Sequence, residues 1–233
     1  MRVNLALLSE VRELNVNLIG VGAGYSYVVS GPTHQCYEDL SVVRSLPNFE
    51  IMSPSDHVSA EGVFQYCIRN NGPKYLRLDA QILPVLRSRI NKEFVNNGFE
   101  TLKKHGSDGM ILATGYMVHT ALEVASYLKA RGKLISVVDL VNLTGLDPKC
   151  LIREIKDIPL IITLEEGFEG RGGLDALIRS LLSKEGFQCE LEGIGVRPGY
   201  SFDLGNRKEL HEKVGIGLRA VSRRIITKLK EIN

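Results

Sequence analysis

Apolar positions along the chain follow two alternating periods, one near 3.6 residues and one of short continuous or alternating runs, which predict helices and strands in turn. Residues 2–13 set Val3, Leu7, Val11 and Leu14 on one helical stripe, with no capping residue before it. Residues 16–20 read as a short strand that ends in Gly20-Val21-Gly22-Ala23-Gly24. Residues 38–46 return to helical spacing, with Cys36, Leu40, Val43 and Leu46 inward, and Glu38 and Asp39 at the positive end of the dipole. Pro47-Asn48 stops that helix, and residues 49–52 form a second strand. Ser53-Pro54-Ser55-Asp56 supplies caps for a helix over 57–69 with an inward stripe of Ala60, Val63, Phe64, Cys67 and Ile68. A turn at Asn70-Asn71-Gly72-Pro73 leads to a third strand over 74–78. Strand, helix, strand, helix, strand predicts a parallel sheet.

Residues 79–106 lose this periodicity and read as a linker with a short hairpin in it. A second α/β unit follows. Its strands are expected at 110–113, 134–138, 160–164 and about 189–194. Its first helix turns Val118, Ala121, Leu122, Ala125 and Leu128 inward and closes at Gly132; Asp147-Pro148 and Gly172-Gly173 open two more. Helices over about 206–213 and 218–232 end the chain. The pattern divides the chain into a unit over 1–80, a linker over 81–106 and a unit over 107–233.

Composition narrows the function classes. The 233 residues, 44% apolar and 24% charged, are enough for a sizeable core, and a net charge of +2 with no basic block disfavours nucleic acid as a partner. No apolar run is long enough to cross a membrane, and the first residues do not make a signal peptide, so a cytoplasmic location is expected. The four cysteines, Cys36, Cys67, Cys150 and Cys189, are far apart and read as reduced thiols. His57, His105, His119 and His211 read as solvated or helix-surface residues, and the basic last helix as a solvated face.

The stretch that invites chemistry is Gly31-Pro32-Thr33-His34-Gln35, a turn feeding a helix that leaves backbone N–H groups and an imidazole at a sheet edge. The preceding glycines do not make a dinucleotide fingerprint. Its third glycine would fall at Tyr25, and β-formers follow where a helix should start. They suit a turn whose backbone passes close to another group.

Gly31-Pro32-Thr33-His34-Gln35, with Glu38-Asp39-Leu40, Arg44-Ser45-Leu46-Pro47-Asn48 and Ser53-Pro54-Ser55-Asp56, resembles the pyrimidine-binding domain of transketolase-like enzymes. Ala113-Thr114-Gly115, Asp139, Leu164-Glu165-Glu166-Gly167, Gly172-Gly173 and the late Gly195-Val196-Arg197 and Leu210-His211-Glu212 are similar to the transketolase C-terminal domain. The resemblance implies two three-layer α/β/α units, a partial parallel-sheet pyrimidine-binding domain followed by a transketolase C-terminal domain. It also implies thiamine diphosphate with a divalent metal such as Mg in the assembled enzyme, neither held tightly by this chain alone. In this family a glutamate upstream of the glycine turn activates the cofactor, and a separate domain binds the diphosphate and metal; neither is found in these residues.

By resemblance His34 faces the substrate as a catalytic group, Gly22, Gly24 and Gly31 line the cofactor side, and Glu165-Glu166 lie toward a subunit interface as a packing or dimer-contact pair. Three positions depart from the family's pattern. Gly22 stands at about the place of a histidine, Ser30 at that of an acid, and Ala80 near that of a phosphate-binding arginine. The expected function is the C-terminal section of a split enzyme that transfers a two-carbon ketol or related acyl unit on a small-molecule substrate. It is expected to be inactive alone, and to form a homodimer or a heterotetramer with a diphosphate-binding subunit. A non-catalytic scaffold of the same fold, and an N-terminally truncated enzyme subunit, are the alternatives. A sheet lacking its first strands is expected to self-associate.

Overall fold

The computed structural model describes residues 1–90, 92–104 and 106–232. The first sheet is parallel, with β1 (Asn15–Val21), β2 (Glu50–Met52) and β3 (Gly72–Leu78) in the order β1-β3-β2. Helix α1 (Asp39–Arg44) packs on one face and α2 (His57–Arg69) lies on the other, where Val63 and Cys67 meet Met52 and Leu76. The cap of α2 is the one its sequence predicts. The Asp56 carboxylate accepts the Ser59 N–H at 2.7 Å, and the Ser59 hydroxyl accepts the Asp56 N–H at 3.0 Å.

The second sheet has the order β4-β6-β5-β7-β8, built from β4 (Phe99–Lys103), β5 (Gly109–Ala113), β6 (Ile135–Leu140), β7 (Leu160–Phe168) and β8 (Glu190–Val196). Alternation along β5 sorts its side chains between two cores. Ile111 and Ala113 face α4 (Met117–Lys129) and α8 (Leu218–Glu231), whereas Met110 and Leu112 face α5 (Pro148–Ile155) and α6 (Leu174–Lys184). That second core also takes in Leu40, Val43, Phe49 and Ile51, so the two units share apolar packing. The end of β2 docks on the chain after β6, with Ser53 N–H on the Val141 carbonyl and Leu143 N–H on the Ile51 carbonyl, both at 2.8 Å.

Three expectations are corrected. The first residues do not form a helix with Val3, Leu7 and Val11 inward. They make a short, wide π-type helix over Arg2–Leu7 and a 3-10 turn over Leu8–Glu10; Val3, Leu7 and Val11 are exposed and Ala6 is buried. The stretch read as a linker with a hairpin holds α3 (Lys92–Asn97) and β4, which pairs antiparallel with β6 as the edge of the second sheet. The inward face of α2 is rotated from the expected stripe. Ser59, Gly62, Val63 and Cys67 are buried, while Phe64 and Ile68 are 37% and 74% exposed. β1, beside α2 at the sheet edge, also exposes Ile19 and Val21.

Candidate functional site

β1, β2 and β3 run parallel, so their carboxyl ends share one edge, the usual place for a ligand in an open α/β sheet. The chain leaving β1 there forms a closed loop. Gly24 and Cys36 exchange both backbone hydrogen bonds at 3.0 Å, and the loop between them carries His34. Gly22 and Ala23 donate to the Leu78 carbonyl at the end of β3, at 3.0 and 3.2 Å, and the Gln81 amide reaches the Ser26 carbonyl at 3.0 Å.

His34 is exposed at the end of a short turn over Val28–Thr33. Its Nδ1 is 2.9 Å from the Thr33 hydroxyl, which donates to the Ser30 carbonyl at 3.0 Å, and its ring stands edge-on to Tyr27. Gly31, buried in that turn, takes φ 65°. Gly22 lies against the Tyr27 ring, and Gly24 (φ 54°) passes so close to Glu166 that a Cβ would overlap the carboxylate. The close approach expected of this turn is therefore real, and the group it approaches belongs to the second unit. Gln35 is buried, and its side chain accepts the Tyr37 hydroxyl.

Glu166 is the centre of a buried charged cluster. Arg207, from α7 (Arg207–Val214), grips it bidentately, Nε at 3.0 Å and Nη2 at 2.8 Å, and turns Nη1 to Asp79 at 2.7 Å. His211 Nε2 lies 2.8 Å from Glu166 Oε1, which also accepts the Tyr25 N–H at 3.2 Å. The guanidinium stacks on Tyr116 at 3.7 Å from the ring centroid. Burial works to raise the Glu166 carboxyl, but Arg207 and His211 overcome it and hold it well below the ordinary range. Asp79 is nevertheless pushed up, because burial outweighs its ion pair with the shared guanidinium.

Two further carboxylates are buried near this edge. Asp139, bonded by Ser55 and Arg87, is raised to about 6 because burial exceeds what those partners return. Glu165 accepts the Leu174 N–H at 2.6 Å at the start of α6; burial, with the charge of Asp175, raises it to about 7. Asp39, expected to complement the helix dipole, is tied to Arg77 at 2.8 Å and to the Tyr75 hydroxyl at 3.0 Å.

Sequence reasoning placed His34 and the glycines on one loop but missed Glu166, Arg207, His211 and Asp79 as a unit. His211, read as a surface residue, is buried, and His119 is half-buried with Nε2 2.8 Å from the Ser55 carbonyl. His57 is exposed as expected, and His105 lies outside the described residues. The missed signal was the pair Glu165-Glu166 at the end of an apolar strand, since two buried acids each demand a partner. The last helix is less free than expected, with Arg224 paired to Glu169 and Glu192.

Residues 3–85 match the family model described as transketolase, pyrimidine binding domain, and residues 99–221, more than half the chain, match that of transketolase, C-terminal domain. The chain belongs to the transketolase family. Among its relatives are an apulose-4-phosphate transketolase subunit of Actinobacillus succinogenes, 30% identical over 87% of this chain, and a putative transketolase C-terminal section of Methanocaldococcus jannaschii, 25% identical over 94%. The chain spans 64% of the first relative's length and 68% of the second's. A solved structure described as a split gene transketolase, inactive beta4 tetramer, superposes with a TM-score of 0.78 at 27% identity, covering 98% of this chain and 75% of that one. In this transketolase-family chain, Gly24, His34 and Asp79 lie in the pyrimidine-binding match and Glu166, Arg207 and His211 in the C-terminal-domain match. The charged cluster therefore joins the two domains. Among the described residues, no helix is long and apolar enough to cross a membrane.

Proposed function

We propose that the chain is the C-terminal subunit of a split transketolase-type enzyme. It contributes His34 to a thiamine-diphosphate-dependent transfer of a two-carbon ketol or related acyl unit, at a site shared with a diphosphate-binding subunit. The observation that carries the reading is the closed loop at the carboxyl edge of the parallel sheet, with an exposed imidazole on it and the neighbouring carboxylates already committed. Relatives described as a transketolase subunit and as a transketolase C-terminal section support it.

The residues present do not fit the cofactor or its metal by themselves. Among the described residues no cluster of three or more His, Cys, Asp or Glu could hold a metal ion. Glu166 and Asp79, the acids nearest the glycine turn, are both bound to Arg207. In this reading a second chain brings the diphosphate and metal groups, and with them the carboxylate that activates the aminopyrimidine. For its own part His34, exposed and hydrogen-bonded through Nδ1, keeps Nε2 for a substrate hydroxyl or carbonyl, where it donates, accepts or moves a proton. Gly22, Gly24 and Gly31 let the backbone of the same loop approach the cofactor. The assembly is a homodimer of this chain or its heterotetramer with the diphosphate-binding subunit, working in the cytoplasm.

One observation favours the second reading, a non-catalytic protein of the same fold. Arg207 is bracketed by two carboxylates and Ala80 offers no charge, so this strand end presents no net positive group to a sugar phosphate. The test is ketol transfer from a panel of phosphorylated and unphosphorylated ketoses. It is run on the chain alone and with the transketolase-type subunit that co-purifies with it from its source, with thiamine diphosphate and Mg present. Activity only in the mixture is expected. Activity of the chain alone sinks the shared-site reading, and an inactive mixture leaves the non-catalytic one.

A further inference from the structure

The loop that carries His34 is held at its neck by the second unit. The neck is the Gly24–Cys36 pair, and beside it the Glu166 carboxylate fills the space that only a glycine leaves open. The same carboxylate accepts the next N–H, that of Tyr25. On the other side, Gly22 and Ala23 hang on the Leu78 carbonyl, and the following residue, Asp79, is held by Arg207. One guanidinium thus grips the acid that fixes the end of β1 and the acid that fixes the end of β3. His211, edge-on to Tyr25 and Tyr116, holds Glu166 from a third side.

All three side chains are almost fully buried, Glu166 at 2%, Arg207 at 5% and His211 at 1% exposure. A buried ion pair is a poor device for stability alone, because desolvation cancels much of its Coulomb gain and apolar residues of similar volume serve as well. Its advantage is directional. A bidentate guanidinium and a carboxylate with several donors admit one geometry, whereas apolar packing admits many.

We propose that Glu166 and Arg207, oriented by His211, are positioning residues that set the neck of the loop over 24–36 and, through it, the place of His34 at the sheet edge. The proposal rests on the reading of His34 as the substrate-facing group, but its test needs no turnover.

Amide hydrogen exchange of the full chain, with NMR of the His34 and His57 rings, is compared for the wild type, Glu166→Ala, Glu166→Gln, Arg207→Met and Gly24→Ala. Glu192→Gln serves as a control that removes a partner of Arg224 instead. In Glu166→Ala and Arg207→Met the Gly24, Tyr25 and Cys36 amides are expected to exchange faster by about tenfold or more over and above any acceleration at Ile111 and Val137 in the second sheet, which reads the loss of global stability. The His34 ring signals move and those of His57 do not. Glu166→Gln, which keeps an acceptor for Tyr25, shows a smaller loss. Gly24→Ala, which leaves every charge in place, reproduces the local loss and carries the test with Glu166→Gln should the harsher variants fail to fold. Equal acceleration at Ile111 and Val137, an unchanged neck, or the same neck response to Glu192→Gln would each overturn the proposal. Failure of the functional reading shows separately, as an assembled enzyme whose turnover does not respond to His34→Ala.

Discussion

Glu165→Gln is expected to reshape the dependence of stability on pH. Glu165 is 1% exposed, and its Oε2 has no hydrogen-bond partner. Burial and the charge of Asp175 raise its carboxyl from 4.5 to about 7. At about 1.4 kcal/mol per unit, that rise is worth about 3 kcal/mol. Because the folded value lies above the unfolded one, the stabilisation is complete below about pH 4.5 and is lost as pH rises through about 7. Glutamine keeps the acceptor for the Leu174 N–H at α6 and does not ionise. It also buries an amide where Oε2 finds no partner, a cost of about 1–3 kcal/mol that does not vary with pH. The diagnostic is therefore the difference between variant and wild type, followed by urea unfolding monitored by circular dichroism from pH 5 to 8.5. That difference should shift in favour of the variant by about 2–3 kcal/mol across the range. A constant difference would mean that Glu165 ionises at no cost, and would refute the account of its burial.

Arg207→Met leaves Glu166 and Asp79 buried without their shared cation and should cost about 3–5 kcal/mol in the same unfolding experiment at pH 7. Asp56→Ala removes the cap of α2 and an acceptor for the Leu86 N–H, a loss of about 1–2 kcal/mol read from the urea midpoint. Ile68→Lys, at a position 74% exposed on α2, should leave the midpoint unchanged and weaken self-association in sedimentation velocity; undiminished association would place the contact elsewhere. His34→Ala should likewise spare stability, since the side chain is exposed, but lower turnover of the assembled enzyme by at least about tenfold.

Local chemistry carried much of the fold. Asp56 before His57, Pro148 after Asp147 and Gly132 after the α4 stripe mark helix ends that the structure keeps, because a cap depends on residues within one turn of it. The strand–helix alternation gave both sheets for the same reason. Two features depended on distant residues and were misread. Phe64 and Ile68 fit the helical period as well as Val63 and Cys67 do, and only the distant residues that pack on α2, Met52, Leu76, Phe94 and Val95, decide which side of it is covered. β4 lacks the apolar alternation of a buried strand because it is an edge strand, half-buried along its length.

The site was half legible, and β7 explains why. Successive residues on a strand face opposite ways, so Glu165 and Glu166, adjacent in sequence, serve different networks. One caps the start of α6 and the other binds Arg207 and His211. Their need for partners could be read from the apolar strand around them; the identity of the partners could not, since Asp79 and Arg207 are 128 residues apart. Once those partners are known, the acids at the sheet edge are accounted for as structural groups. His34 is then an ionisable group that the loop holds out without an ionic partner among the described residues. A reaction that needs a carboxylate beside the cofactor must draw it from residues other than these. The commitment of Glu166 and Asp79 to Arg207, more than any missing motif, makes the need for a carboxylate from elsewhere a physical expectation.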